Sequence, residues 1–399
     1  MAETYETVSR YWKKGMVPGE DDDGRAKATP DRVGVLDKLN SMRPNEYEKD
    51  LPEPLKFTNI DPFYRGGMHG LIVGRTGSGK TTLLLSMLSK LLDHGHTILA
   101  RDDGGLESLY LLPKVPIRVW IPDGCELRLS TPYKCDVTHF DWQRPGEILD
   151  RVYEYKFNLV VFDAYCVDPA TSAQFYSSLF RSLIFKSMQT PKSKKKKLIF
   201  SADEINDLIQ GRGGELTKEH AAVKALITYN MRKLRKHEVT MLASSHRFAD
   251  IGSGPLTNFS YMFVKQIAGY DAYDFLSKSL TMQNKDVFWA TAKDISRLDK
   301  QFFYLFDYKG NFDKYTIHDI ERTNADPEAI GAIQTDSEKV DMRTPNYKRK
   351  IQVACLSSKG AKSSEIAEHL GVSASTVRQD IMIMRKEWGI SELSPDEKA

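Results

Sequence analysis

The chain has 399 residues, with 57 Lys+Arg against 54 Asp+Glu for a net charge of +3, and it is 41% apolar and 28% charged. That length exceeds one small domain, and the apolar share supports a sizeable core. The near balance of charge excludes a chain that is basic throughout, so any case for nucleic acid must rest on local clusters. Four scattered cysteines (Cys125, Cys135, Cys166, Cys355) form no Cys-x-x-Cys pair. This argues against a disulfide framework or a zinc site and fits a reducing compartment. The opening MAETYETVSRYWKKG lacks the apolar segment of a signal peptide, and no apolar run approaches membrane-spanning length. The expectation is a cytoplasmic protein without a membrane partner.

Residues 1–55 are polar, acidic between Glu20 and Asp23, and dotted with proline. They read as an N-terminal arm rather than a packed domain. From 56 to 322, short apolar runs alternate with helical stretches: 70-GLIVG-74, 97-TILAR-101, 116-PIRVWIP-122, 158-NLVVFD-163, 198-LIFSADE-204 and 239-VTMLASS-245. The alternation predicts an α/β fold, a mainly parallel sheet flanked by helices. Residues 323–346 are polar with turn formers and read as a linker, and 347–399 return to helical periodicity as a small all-α domain.

After the strand 70-GLIVG-74 comes 74-GRTGSGKTT-82 and then the apolar helix LLLSMLSKLL. This is G-x-x-x-x-G-K-[ST] in the strand–loop–helix setting that makes a phosphate-binding loop. Gly74, Arg75, Thr76, Gly77, Ser78, Gly79, Lys80, Thr81 and Thr82 would wrap the phosphates of ATP with backbone N–H groups at a helix start. Lys80 would reach the β- and γ-phosphates and the Thr81 hydroxyl would ligate Mg²⁺.

Two strands end in a carboxylate suited to the metal side. The strand 159-LVVFD-163 offers Asp163 alone, whereas 198-LIFSADE-204 offers Asp203 and Glu204. Hydrolysis needs one group near the metal and another to orient the attacking water, so Asp203 is assigned to Mg²⁺ and Glu204 to the water. Asp163 reads as a strand-end carboxylate that caps the next turn.

The order of these elements, over roughly residues 66–310, resembles the FtsK–HerA superfamily of ring-shaped P-loop ATPases that pump DNA, viral genome-packaging ATPases among them. In 97-TILARDDGGLESL-109, Asp102 stands at that family's strand-end aspartate. In 231-MRKLRKHEVTMLASSHR-247, Arg235 stands where the family places an arginine that reaches a neighbouring subunit's nucleotide. His246 stands at the sensor position, where the family usually has glutamine, and Phe248 stands where it has proline. Arg247 is an alternative to Arg235.

The resemblance implies ATP hydrolysis with Mg²⁺ in a homo-oligomeric, hexameric ring that moves double-stranded DNA. Lys80, Glu204, Arg235 and His246 would be its catalytic set. In a packaging role, a viral capsid or portal protein would be a partner, in the host cytoplasm or the virion. Two other classes stay open: an ATP-switched, sequence-specific DNA-binding regulator, and an assembly or secretion motor acting on protein.

Two basic features lie outside this frame. The run 192-KSKKKK-197 is predicted at the sheet edge opposite the phosphate loop, as a contact for a DNA backbone or as a solvated charge run. The segment 210-QGRGGELTKEH-220 reads as a pore-facing loop carrying Arg212, or as a plain connection. In the tail, 363-SSEIAEHLGVSASTVRQDIMIMRKEW-388 has the grammar of a helix-turn-helix, with Gly371 at the turn and Ser373 as a cap. Ile366, Ala367, Leu370, Val377, Ile381 and Met384 form its apolar faces. Ser375, Thr376, Arg378 and Gln379 at the start of its second helix would contact DNA. Residues 342–388 hold nine Lys+Arg against four Asp+Glu, a local surplus that the whole-chain charge conceals. DNA contact is the commonest use of such a motif, and a small trihelical module that binds protein is the alternative.

Overall fold

The computed structural model describes residues 32–58, 68–166, 168–209, 217–279, 285–317, 326–333, 352–353, 356–357 and 361–388. The chain divides into two compact units, Met1–Ile333 and Gln334–Ala399.

The first unit is built on an 11-stranded sheet. Its strands are β1 (Leu55–Lys56), β2 (Gly70–Val73), β3 (Thr97–Arg101), β4 (Ile117–Pro122), β6 (Cys135–Phe140), β7 (Phe157–Val160), β8 (Leu198–Ala202), β9 (Val239–Ser245), β10 (Tyr261–Val264), β11 (Phe302–Asp307) and β12 (Phe312–Thr316). Their order in the sheet is β1-β12-β11-β10-β2-β9-β8-β3-β7-β4-β6, and every neighbour from β10 to β6 is parallel. Strands β5 (Glu126–Ser130) and β13 (Asp326–Ile330) form a separate antiparallel ribbon.

The central strands are buried at every position, which explains why their sequences are mostly apolar. Alternation then assigns successive residues to opposite faces. Leu71 and Val73 belong to one core, with Phe162, Phe175 and Phe200, while Ile72 belongs to the other, with Leu84, Leu88 and Phe263. Among the described residues, helix α1 (Arg32–Ser41) comes before α2 (Lys80–Asp93), α3 (Pro169–Gln189), α4 (Lys218–Lys236), α5 (Gly269–Ser279) and α6 (Lys285–Arg297). The α/β class, with a mainly parallel sheet flanked by helices and a phosphate loop after β2, is that of a P-loop NTPase.

Two boundaries differ from the sequence reading. Within the expected N-terminal arm, α1 buries Val35 and Leu39, and the buried Lys293 of α6 donates to the carbonyl of Leu39. Lys38 lies 4.1 Å from the centre of the Trp289 ring. Polarity misled here because α1 needs only one narrow apolar stripe to dock. Within the expected linker, residues 326–330 are β13, paired with β5, and Ile333 N donates to Tyr165 O at 2.9 Å. Pro327 is compatible with a strand in a two-stranded ribbon, which has edges on both sides. Residues 1–31, 323–325 and 334–346 of these segments lie outside the described residues, as do residues 210–216 with Arg212, and Cys355.

The second unit contains α7 (Ser363–Leu370) and α8 (Ala374–Trp388). Ile366, Ala367, Val377 and Ile381 are buried together with Val353. Gly371 adopts a left-handed φ of 63°, which permits the tight turn between the helices. Ser373 Oγ accepts from Thr376 N at 3.1 Å and caps α8. No helix of the described residues is long and apolar enough to cross a membrane.

Candidate nucleotide site

The site forms where β2, β9 and β8 end side by side, so one strand separates the phosphate loop from the acidic pair. Gly74 N donates to Ser245 O at 3.2 Å and Arg75 N to Gln266 O at 2.8 Å, which tie the base of the loop to its neighbours. Gly79, at φ 88°, turns the chain into α2, and no side chain caps that helix start. A Cβ on Gly74 would lie 2.5 Å from Ser78 Oγ, so only glycine fits there.

The side chains that follow are cross-linked. Thr81 Oγ1 donates to Asp203 Oδ2 at 2.9 Å, and Ser244 Oγ donates to Asp203 Oδ1. Glu204 N donates to the same Ser244 hydroxyl at 3.1 Å. Lys80 Nζ lies 3.1 Å from Glu204 Oε1 and 3.2 Å from His246 Nδ1. His246 Nδ1 therefore presents its lone pair to the ammonium, which leaves a proton on Nε2 in the neutral ring. Nε2 stands 3.2 Å from Glu204 Oε2, yet that oxygen is buried and makes no hydrogen bond. Burial pushes the Glu204 carboxyl above its ordinary pKa, against the opposing pull of Lys80 and His246. Glu204 also sits at φ 46°, a left-handed backbone that costs a non-glycine residue about 1 kcal/mol or more.

These residues suit a nucleotide and a divalent cation. The Ser78 hydroxyl is buried without a partner inside the loop, and the start of α2 is uncapped. Thr81 and Asp203 already meet as an oxygen pair suited to a hard cation.

Arg101, which sequence reasoning passed over, holds the acidic turn in place. It is 4% exposed, and its guanidinium donates to Asp203 O at 2.7 Å, Glu204 O at 3.0 Å and Asp163 Oδ2 at 2.8 Å. Burial works against its charge, but Asp163, Tyr176 and Asp207 outweigh it and raise the pKa. Asp163 also accepts from Ser172 Oγ and from Tyr176 OH at 3.1 Å. It is thus committed to the scaffold and stands apart from Thr81. Asp102 closes its own loop, accepting from Gly104 N and Leu106 N, and burial lifts its pKa to about 7.

The remaining candidates separate. Arg235, near the end of α4, precedes β9, whose seven residues span about 20 Å to Ser245 beside the phosphate loop. Arg235 belongs to the opposite edge of the sheet, near the buried His69. Arg247 is engaged in a two-pronged pair with Asp271 at 3.1 and 3.0 Å. In the second unit, Ser375, Arg378 and Gln379 are exposed on α8, while Thr376 is half-buried with its hydroxyl 2.8 Å from Ser373 Oγ. The side chain of Met384 lies outside the described residues.

No family model matches the chain, and no curated protein matches it. Among solved structures, it is similar to the genome packaging NTPase B204 from Sulfolobus turreted icosahedral virus 2. That match has 14% identity, covers 63% of this chain and 98% of the other, and has a TM-score of 0.40. The bacterial conjugative coupling protein TrwB, in a form named deltaN70, aligns at 12% identity over 71% of this chain and 94% of its own, with a TM-score of 0.42. The pCW3 conjugation coupling protein TcpA aligns at 13% identity over 68% and 72%, with a TM-score of 0.36.

Proposed function

We propose that this chain is an ATPase that assembles as a ring of its own copies and drives double-stranded DNA, with viral genome packaging as its role. The observation that carries the ATPase reading is the convergence of Lys80, Glu204 and His246 beside the Thr81–Asp203 pair. In the free protein, Lys80 neutralises Glu204. A triphosphate in the loop would draw the ammonium toward its phosphates and release Glu204, whose unbonded Oε2 would then accept a proton from the attacking water. His246, within reach of both Lys80 and Glu204, would report on the γ-phosphate position. Thr81 and Asp203 are the residues that would hold Mg²⁺, which supplies charge neutralisation at the phosphates when bound.

The ring and the DNA rest on the family resemblance in sequence and on the placement of Arg235. An arginine at the end of the strands away from its own loop lies out of reach of its own nucleotide and would suit a neighbour's. The exposed Ser375, Arg378 and Gln379 of α8 would place the tail on the duplex.

ATP hydrolysis measured with and without duplex DNA tests this reading. Wild type should be stimulated by DNA, and Glu204→Gln should lose about 10²–10⁴-fold in turnover while still binding nucleotide. Arg235→Ala should lose the DNA-stimulated rate by about 10³-fold or more and keep nucleotide binding. A rate indifferent to both DNA and Arg235→Ala would falsify the translocation mechanism.

A further inference from the structure

Two lysines touch the phosphate loop, and only Lys80 belongs to its motif. Lys265 directly follows β10 and is 0% exposed. Its N–H donates to Val73 O at 2.7 Å, so its backbone lies beside the end of β2. Its side chain then runs beneath the loop. A Cβ on Gly74 would lie 2.6 Å from Lys265 Cβ, and one on Gly79 would lie 3.7 Å from both Cε and Nζ. These are the first and last glycines of the motif, and both press on this one side chain.

The ammonium donates to the carbonyl oxygens of Lys300 and of Phe302, the latter at 2.7 Å. Among the described residues, no carboxylate lies within ion-pair distance of it. The charged group facing it from the loop is Lys80, whose Cγ lies 3.4 Å from the Cβ position of Gly74. The carbonyls come from Lys300, just before β11, and from Phe302, its first residue. A buried ammonium with two neutral acceptors and no counter-charge is costly, and proteins ordinarily pair such groups. Burial pushes its pKa down to about 7.

We infer that Lys265 is a second cation of the phosphate site, acting on the nucleotide through Gly79 from beneath the loop, with the bound phosphates as its counter-charge. It is a positioning residue, since the glycine backbone stands between it and the ligand. This inference rests on the nucleotide reading of the loop. Phosphates held above Gly79 stabilise the ammonium form, and by linkage the ammonium form binds phosphates more tightly. Above pH 7 the free protein holds Lys265 partly neutral, so nucleotide binding draws in a proton.

The test is calorimetric titration of Mg-ADP at pH 8 in two buffers of different ionisation enthalpy, on wild type, Lys265→Met and Lys265→Gln. Wild type should take up a fraction of a proton that both variants lack. The variants should bind about 10-fold or more weakly. Their melting temperature without nucleotide should be unchanged or higher, since a neutral side chain removes a buried charge. Equal affinity and equal proton uptake would overturn the inference. So would variants that melt lower yet bind as wild type does, because Lys265 would then be a strut alone. If both variants fail to fold, the absence of proton uptake by wild type suffices to overturn it. Failure of wild type to bind Mg-ADP would instead sink the nucleotide reading itself.

Discussion

The two edges of the parallel sheet carry charge in opposite ways. At the strand ends that face the phosphate loop, cations and carboxylates interlock, Lys80 with Glu204 and Arg101 with Asp163, and the Thr81 hydroxyl donates to Asp203. At the other edge, positive groups gather on one another. Lys195 Nζ donates to His237 Nδ1 at 2.5 Å, and burial, with Lys197, His94 and Lys156 nearby, opposes protonation of His96. The first end is compensated internally. The second keeps Lys194, Lys196 and Lys197 exposed at the surface.

Breaking the interlocked edge should produce the largest effect. Arg101→Met leaves Asp163 without its cation and frees the carbonyls of Asp203 and Glu204. Loss of one partner of a buried pair costs about 3–5 kcal/mol, to be read as a lower urea midpoint. Asp163→Asn should destabilise in the same assay while leaving the Mg²⁺ dependence of nucleotide binding unchanged.

Next comes a buried histidine at the end of the strands away from the phosphate loop. His69 accepts from Met241 N at Nδ1 and so donates from Nε2 to Met231 O, four residues before Arg235. Burial holds its pKa near 4, below the ordinary 6.5. The unfolded chain thus binds the extra proton between pH 6.5 and 4, and stability falls as pH drops through that window. The loss is about 3 kcal/mol by pH 4. Asp102, raised to about 7, works in the opposite direction, so the comparison must be made against a variant. His69→Gln keeps a donor and an acceptor without titrating. Its stability deficit relative to wild type at pH 7 should shrink by about 3 kcal/mol at pH 4 in chemical unfolding.

A smaller effect is expected at Ser244, on the strand between the loop and the acidic pair. It donates to Asp203 and accepts from Glu204 N, so it aims the carboxylate that faces Thr81. Ser244→Ala should weaken Mg²⁺ affinity in nucleotide binding by about 10–100-fold with little change in fold stability.

The sheet was legible because its central strands are buried on both faces and read as mostly apolar runs. The phosphate loop and the Asp203–Glu204 pair were legible because both sit at strand ends, where a polar residue interrupts such a run. The same cue pointed equally to Asp163, and only Arg101, from the adjacent strand, shows why that carboxylate is scaffold. Arg101, Ser244 and Lys265 escaped notice although each is a polar residue at the end of an apolar strand. Their partners are backbone carbonyls or groups on neighbouring strands, which sequence spacing does not bring together. Docking of α1 and pairing of β13 were hidden because each element needs only a few apolar contacts.

The basic edge gives the smallest effect and sharpens the comparison most directly. If that surface meets a DNA backbone, its lysines act by releasing counterions, and each phosphate neutralised adds about 0.9 to the slope of log K against log salt concentration. Changing Lys194, Lys195, Lys196 and Lys197 to glutamine should flatten that slope by up to about 3 to 4 and leave basal ATP hydrolysis untouched, since the phosphate loop lies at the far end of the strands. The same variant should raise the pKa of His96 from about 4, because Lys197 is one of the charges that depress it. A ring-proton titration followed by NMR reads that shift. A flattened salt slope without the His96 shift would place the DNA contact on other lysines of the edge. The His96 shift without a flattened slope would mark the run as a solvated face.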